Sequence, residues 1–347
     1  MDLGKSYLSH IMTLLLMPLV LASCANRLPS ASSTPTAAPA PQALKGDFRV
    51  HDPTMIKQGD AYYVFSTGEE RGYNSGNIQI RRSTDMATWE RIGSVFIVIP
   101  AWIGQAIGGT PPNLWAPDIS FHNGTYYLYY AGSRFGTNTS VIGLATNTTL
   151  DPKSPDYKWV DQGMVLQSVK ADNWNAIDPN LAFDAEGTPW LSFGSFWDGI
   201  KMRKIDPRTG KLAADDKKLY SLASRGGGPI EAPSIVARNE YYYLFVSFDL
   251  CCRGANSTYK IMAGRAKSIT GPYIDRDGKR MELGGGTPVL QSHGRYIGPG
   301  GQSVYHDDGV YRMVYHYYDA NDNGAPKLKI SDLTWTDDGW PACCTSE

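Results

Sequence analysis

Four acidic residues, Asp52, Asp118, Asp178 and Glu231, follow one another along this 347-residue chain at intervals of 66, 60 and 53 residues. Each stands within two residues of a proline, in "HDP", "APD", "IDP" and "IEAP". Several carboxyl groups drawn into one apolar-walled pocket cannot all ionise freely, so one is pushed up in pKa and kept protonated. A neutral carboxyl beside an ionised one is what hydrolysis of a glycosidic bond needs. The first protonates the leaving oxygen, the second activates water, and in the inverting form they stand roughly 6.5–9.5 Å apart. Glu231 has the longer side chain and the most apolar neighbours, Ile230, Ala232 and Pro233, which suits a general acid. Asp52 follows His51 in a more polar stretch and suits the ionised base. Asp178 lies between them in chain order and is read as the group that tunes the pKa of Glu231 and holds it in place.

Distant residues meet only if a repeated element brings them together. Self-comparison finds one. Similar stretches begin at residues 51, 116, 177, 230 and 298: "HDPTMIKQGDAYYVFSTG", "APDISFHNGTYYLYYAGS", "IDPNLAFDAEGTPWLSFGS", "IEAPSIVARNEYYYLFVSF" and "GPGGQSVYHDDGVYRMVYHYYD". Each is a short strand, a polar turn such as His122-Asn123-Gly124, and a second strand rich in Tyr, Phe and Leu, the pattern of a β-hairpin. Further strand-like runs lie between them, at 77–93 and 140–150. Five units of about 60 residues and four strands each predict an all-β fold, a five-bladed β-propeller over residues 47–347 around a central channel. No stretch sustains a helical period. The first strand of each blade lines the channel, so the acids converge on one face. They are taken to occupy the same repeat position in four of the five blades.

Composition narrows the partners. Lys and Arg total 33 against 34 Asp and Glu, so no basic excess exists to hold nucleic acid or an anionic membrane by charge. The 21 Tyr and 9 Trp suit either a β-core or flat surfaces for sugar rings. Residues 1–24 read as a lipoprotein-type signal peptide: Lys5, an apolar run too short to span a bilayer, then "LASC" ending at Cys24, the expected lipidation site. Residues 25–46, rich in Ser, Thr, Ala and Pro, read as a tether. The expected product is an exported monomer that meets membrane only through that lipid anchor. Cys251-Cys252 and Cys343-Cys344 leave two arrangements open, one disulfide between the pairs or two reduced pairs.

"HDP", "WAPD", "AIDPN", "IEAP", "YYYLFVSFDLCCRG" and "GPGGQSV" together resemble the arabinanases of glycoside hydrolase family 43, over residues 47 to 340. "SFDLCCRG" and "SITGPY" (268–273) point within it toward endo-acting arabinanases. The resemblance implies a five-bladed propeller that cuts α-1,5-linked L-arabinofuranose chains with inversion. It assigns Asp52 as base, Glu231 as acid and Asp178 as modulator. It implies substrate contacts from Asn175 through Asp178, from Ser195, Phe196 and Trp197, and from Gly136 near Phe135. Trp115 is a candidate pocket wall, and Asp118 takes a structural part. Many relatives carry "GPGH" where this chain has "GPGG"; that His helps hold a channel metal ion, usually calcium. Gly301 stands in its place, so no metal residue is assigned, and a calcium ion held by waters and remote acids is left open. His316 is read as a packed, hydrogen-bonded side chain, and the chemistry itself requires no cofactor. Two other readings compete. An exo-acting arabinofuranosidase or β-xylosidase would share the scaffold. A glycan-binding propeller would repeat its binding residues blade by blade, whereas these blade heads differ.

Overall fold

The computed structural model describes residues 43–69 and 77–343. The leader with Cys24, the tether up to residue 42, and Cys344 lie outside the described residues. The first blade holds β1 (Lys45–Gly46), β2 (Thr54–Gln58), β3 (Ala61–Ser66), β4 (Gln79–Ser83) and β5 (Thr88–Ser94). A short helix α1 (Ala101–Ile107) follows. The second blade holds β6 (Trp115–His122), β7 (Thr125–Gly132), β8 (Ser140–Asn147) and β9 (Val160–Ser168). The third has β10 (Asn180–Phe183), β11 (Pro189–Phe193), β12 (Ile200–Asp206), β13 (Lys211–Leu212) and β14 (Tyr220–Ala223). The fourth has β15 (Ile230–Arg238), β16 (Tyr241–Phe248), β17 (Lys260–Ala266) and β18 (Thr287–Leu290). The fifth has β19 (Tyr296–Asp307), β20 (Val310–Asp319), β21 (Ala325–Trp335) and β22 (Pro341–Cys343). Within each blade the main strands pair antiparallel in chain order. The structure is the five-bladed propeller that the repeat predicts. β1 is an addition: the end of the tether segment pairs parallel with Thr88 and Trp89 of β5.

The second strand of a blade reads as an unbroken apolar run because both of its faces are covered. In β16, Tyr243 and Phe245 pack with Met313 and Tyr315 of the fifth blade. The alternate residues Leu244 and Val246 pack with Ile200 and Met202 of the third. In β7, Leu128 and Tyr130 face Phe65 and Ile80 of the first blade, while Tyr129 faces Leu191 and Phe193 of the third. Met55 and Val64 close the ring against Tyr305, Val314 and Leu328. The Lys57–Asp307 ion pair at 3.1 Å and the bond from Ser303 Oγ to the Pro53 carbonyl fasten the same seam. Each neighbouring pair of blades therefore shares an apolar cluster.

The blade heads correct the repeat register. Asp52, Ala116, Asp178, Ala232 and Gly301 all have left-handed backbone, with φ of 50°, 42°, 55°, 54° and 55°. These are the equivalent positions, and four of the five precede a proline. β6, β15 and β19 carry their register shifts here, between Trp115 and Asp118, Glu231 and Ser234, and Gly300 and Ser303. Bulges of this kind re-aim side chains beside functional sites. So Asp52 and Asp178 share a repeat position, but Glu231 stands one residue before it and Asp118 two after. The expectation that all four acids are equivalent fails, because proline and not the carboxylate marks the repeat. Phe245→Ala empties a fully buried site between blades four and five. It should cost about 3–5 kcal/mol, measured by denaturant unfolding of the whole domain.

Candidate active site

The channel pocket is lined by the blade heads: Asp52 and Pro53, Ala116 to Asp118, Asp178 to Asn180, Ala232 and Pro233, and Gly301 to Ser303. Asp52, at the entry to β2, is held from every side. Thr67, just after β3, donates its hydroxyl to Asp52 Oδ2 at 2.6 Å and accepts the Ala116 N–H. His51 Nδ1 lies 2.8 Å from Asp52 Oδ2, and His51 Nε2 lies 2.7 Å from the Tyr318 hydroxyl of β20. The Asp52 N–H donates to Nδ1 of His316, also on β20, at 3.1 Å. Burial pushes the Asp52 carboxyl up, but the charge and hydrogen bond of His51 outweigh it and hold the group at about 2. Burial likewise opposes the charge on His51, yet Asp52 and Tyr318 raise it well above the ordinary histidine value. The two form an ion pair, with Asp52 ionised.

Glu231 is the second residue of β15 and is buried. Burial raises its carboxyl to about 7, the charge of Asp52 adds to that, and a 2.7 Å hydrogen bond from Ser195 Oγ works against it. Asp178 accepts the Ala232 N–H at 3.0 Å, which anchors the backbone next to Glu231. Burial, then the charges of Glu231 and Asp52, push Asp178 well above the carboxylate range. These three acids thus share one electrostatic site. Asp118 lies apart from that exchange. It accepts the Leu181 N–H at 2.8 Å and the Asn180 side-chain N–H at 3.2 Å, tying the second blade to the third. Asn180 Oδ1 passes the lock on to the Ile235 N–H in the fourth.

The other residues singled out from the sequence divide into two groups. Ser195, Phe196 and Trp197 form the turn after β11, beside Glu231; Phe196 N–H donates to the Ile230 carbonyl. Phe196 and Trp197 are half-buried with φ of 48° and 37°. Phe135 is 80% exposed, with Gly136 next to it on a loop that Arg134 fastens to the carbonyls of Ile107 and Gly108. Trp115 is half-buried, its indole N–H on Asn113. Asn175 is enclosed: its side chain accepts the Ser140 hydroxyl and donates to the Thr137 carbonyl, so its polar atoms brace the second blade. Sequence reasoning missed Thr67, Tyr318 and the contact of His316 with Asp52. Only the adjacency in "HDP" signalled a partner for the base.

The cysteines adopt neither expected arrangement. Cys251 and Cys252 are bonded to each other in the loop after β16. As for a channel cation, Gly301 has no side chain, and a Cβ there would stand 2.4 Å from Asp52 Oδ1 and 2.8 Å from the His316 ring. His51, Asp52 and His316 bring ligand atoms within 4.8 Å of one another. However, His316 Nδ1 accepts the Asp52 N–H, so the neutral ring carries its proton on Nε2. Two imidazoles and one engaged carboxylate are a poor set for a hard, oxygen-seeking ion. The residues present do not fit calcium as direct ligands.

Comparison with known proteins agrees with this geometry. The model of "Glycosyl hydrolases family 43" matches residues 46–341. The extracellular endo-α-(1→5)-L-arabinanase 1 of Bacillus subtilis is 48% identical over 88% of this chain and 92% of its own. The extracellular exo-α-(1→5)-L-arabinofuranosidase ArbA of Cellvibrio japonicus is 43% identical over 84% of this chain and 85% of its own. The solved structure of the Cellvibrio cellulosa α-L-arabinanase with arabinohexaose superimposes with a TM-score of 0.80 at 42% identity, covering 85% of this chain and 95% of that one. A matching family model over most of its length, on a matching propeller, places this chain in family 43 of the glycosyl hydrolases.

Proposed function

We propose that the enzyme hydrolyses internal α-1,5-L-arabinofuranosyl linkages of arabinan with inversion at the anomeric carbon. One observation carries the reading: Asp52 is held ionised while Glu231, on which the charge of Asp52 acts, is held protonated up to near-neutral pH. Glu231 delivers its proton to the glycosidic oxygen as the C–O bond breaks. Asp52 takes a proton from the water that attacks the opposite face of the same carbon. Asp178, itself pushed toward its protonated form by burial and by the charges of Glu231 and Asp52, fixes the backbone beside Glu231 through the Ala232 N–H. The half-buried rings of Phe196 and Trp197, and the exposed ring of Phe135, offer faces to furanose rings. Each step is supplied by protein groups and water. Export is supported by the relatives named as extracellular, and Cys24 is the proposed point of lipid attachment.

Endo action follows the B. subtilis relative, and products separate it from exo action. Debranched arabinan should yield short oligosaccharides at the earliest times; arabinose alone from the outset would mean exo action. Glu231→Gln should keep its near-ultraviolet dichroism and lose roughly 10²–10⁴-fold in kcat on arabinan, the range that proton transfer contributes. The acid must be protonated, so kcat/KM should fall on the alkaline side through about 7. Ser195 lowers the pKa of Glu231 through its hydrogen bond. Ser195→Ala should therefore move that alkaline limb to higher pH, which a pH–rate profile measures.

A further inference from the structure

The loop after β16 connects to the base by an unbroken chain of contacts. Asp249 at its start is fixed by Arg225 at 2.8 Å and Lys260 at 2.9 Å. Leu250 is bound through both its N–H and its carbonyl by Thr258, and the Arg253 N–H donates to Ser257 Oγ. Both flanks are thus tied, and the step between them is the Cys251–Cys252 disulfide. A bond between adjacent cysteines closes a ring through the intervening peptide and fixes its plane. Cys252 has left-handed backbone, φ 66°, which a residue with a Cβ does not favour on its own. The N–H of that peptide donates to the Tyr318 hydroxyl at 2.7 Å. The same hydroxyl meets His51 Nε2 at 2.7 Å, and His51 Nδ1 meets Asp52 at 2.8 Å. Cys252 Sγ itself lies 3.9 Å from His51 Nε2.

We propose that the Cys251–Cys252 disulfide is a positioning element for the water-activating carboxylate: it holds the Cys252 N–H on Tyr318, Tyr318 holds His51, and His51 orients Asp52. The inference rests on the reading of Asp52 as the base. One face of His51 is stacked on His316 at 3.7 Å between ring centres. Tyr318 anchors its Nε2 edge. The titratable groups facing Asp52 are His51, His316, Asp178 and Glu231. Those facing His51 are Asp52, Tyr318, His316, Asp178, Glu231 and, across a shared pocket, Arg49 and Glu69. Of these, His51 is the one whose placement the disulfide controls.

The test compares oxidised enzyme with enzyme reduced by dithiothreitol, and with the Cys251→Ser/Cys252→Ser and Tyr318→Phe variants. In the reduction the S–S bond breaks, two electrons and two protons pass from the dithiol, and the reagent closes to its own cyclic disulfide. Disordering the base should lower kcat on arabinan roughly 10- to 100-fold, the scale of a small misplacement of a catalytic group, with KM little changed. A loosened His51 supports the Asp52 charge less, so its pKa rises and the acid limb of kcat/KM moves to higher pH. Tyr318→Phe, with its ring kept, should move the limb the same way, and it carries the test with the reduced enzyme if the double variant fails to fold. Unchanged kcat and acid limb would overturn the proposal. So would a rise in KM with the limb unmoved, which would make the disulfide a sugar contact, or alkylation of both cysteines before any reductant. Asp52→Asn separates the two layers. If it is inactive while disulfide-free enzyme works normally, the inference alone falls; if it is active, the reading of the base falls and takes the inference with it.

Discussion

Each blade enters the channel through one residue held at positive φ, and everything at the site hangs on that turn. Asp52, Ala116, Asp178, Ala232 and Gly301 hold it, four of them without the freedom of glycine. Such backbone costs on the order of 1–3 kcal/mol per residue and persists where packing on both sides imposes it. The packing is the set of apolar clusters between neighbouring blades. The turn decides where carboxyls point. At its own position it presents Asp52 and Asp178; one residue earlier it buries Glu231; two residues later it turns Asp118 into a strap between blades. At Gly301 the turn leaves no room for a side chain between Asp52 and His316.

Given that frame, the division of labour among the acids is electrostatic. Asp52 and Glu231 are both taken from water and both pay for it in the same direction, toward protonation. What separates them is company. Asp52 has a histidine that is itself kept charged, a threonine hydroxyl and a backbone clamp. Glu231 has a single serine and the repulsion of Asp52. One electrostatic site can therefore hold an acid and a base at the same pH.

Much of this was legible in the sequence. Hairpins with polar turns and Tyr-rich second strands announced five blades, because a strand covered on both faces must be apolar throughout. The three central acids could be named for the same reason that Glu231 looked out of place beside Ile230 and Pro233. The register could not be read. Acid positions suggested one repeat site, whereas the backbone turn before proline is the repeated feature, and φ leaves no direct mark on Ala116 or Ala232. Asn175 looked like a substrate contact and is enclosed among Ser140 and Thr137, since nothing local shows which way a loop amide faces. Tyr318 lies 266 residues from Asp52 in number, and only folding of the last blade against the first reveals that it holds His51. The bond between Cys251 and Cys252 was hidden because adjacent cysteines usually seek distant partners.

The mechanism requires the free enzyme to hold Asp52 ionised and Glu231 protonated at the same pH. Carbon-13 NMR titration of labelled side-chain carboxyls, assigned by Asp52→Asn and Glu231→Gln, measures both directly. The Glu231 signal should titrate at about 7, and the Asp52 signal should stay ionised far into the acid range, to about 2. An Asp52 carboxyl that takes up its proton at or above the pH where Glu231 does would contradict it.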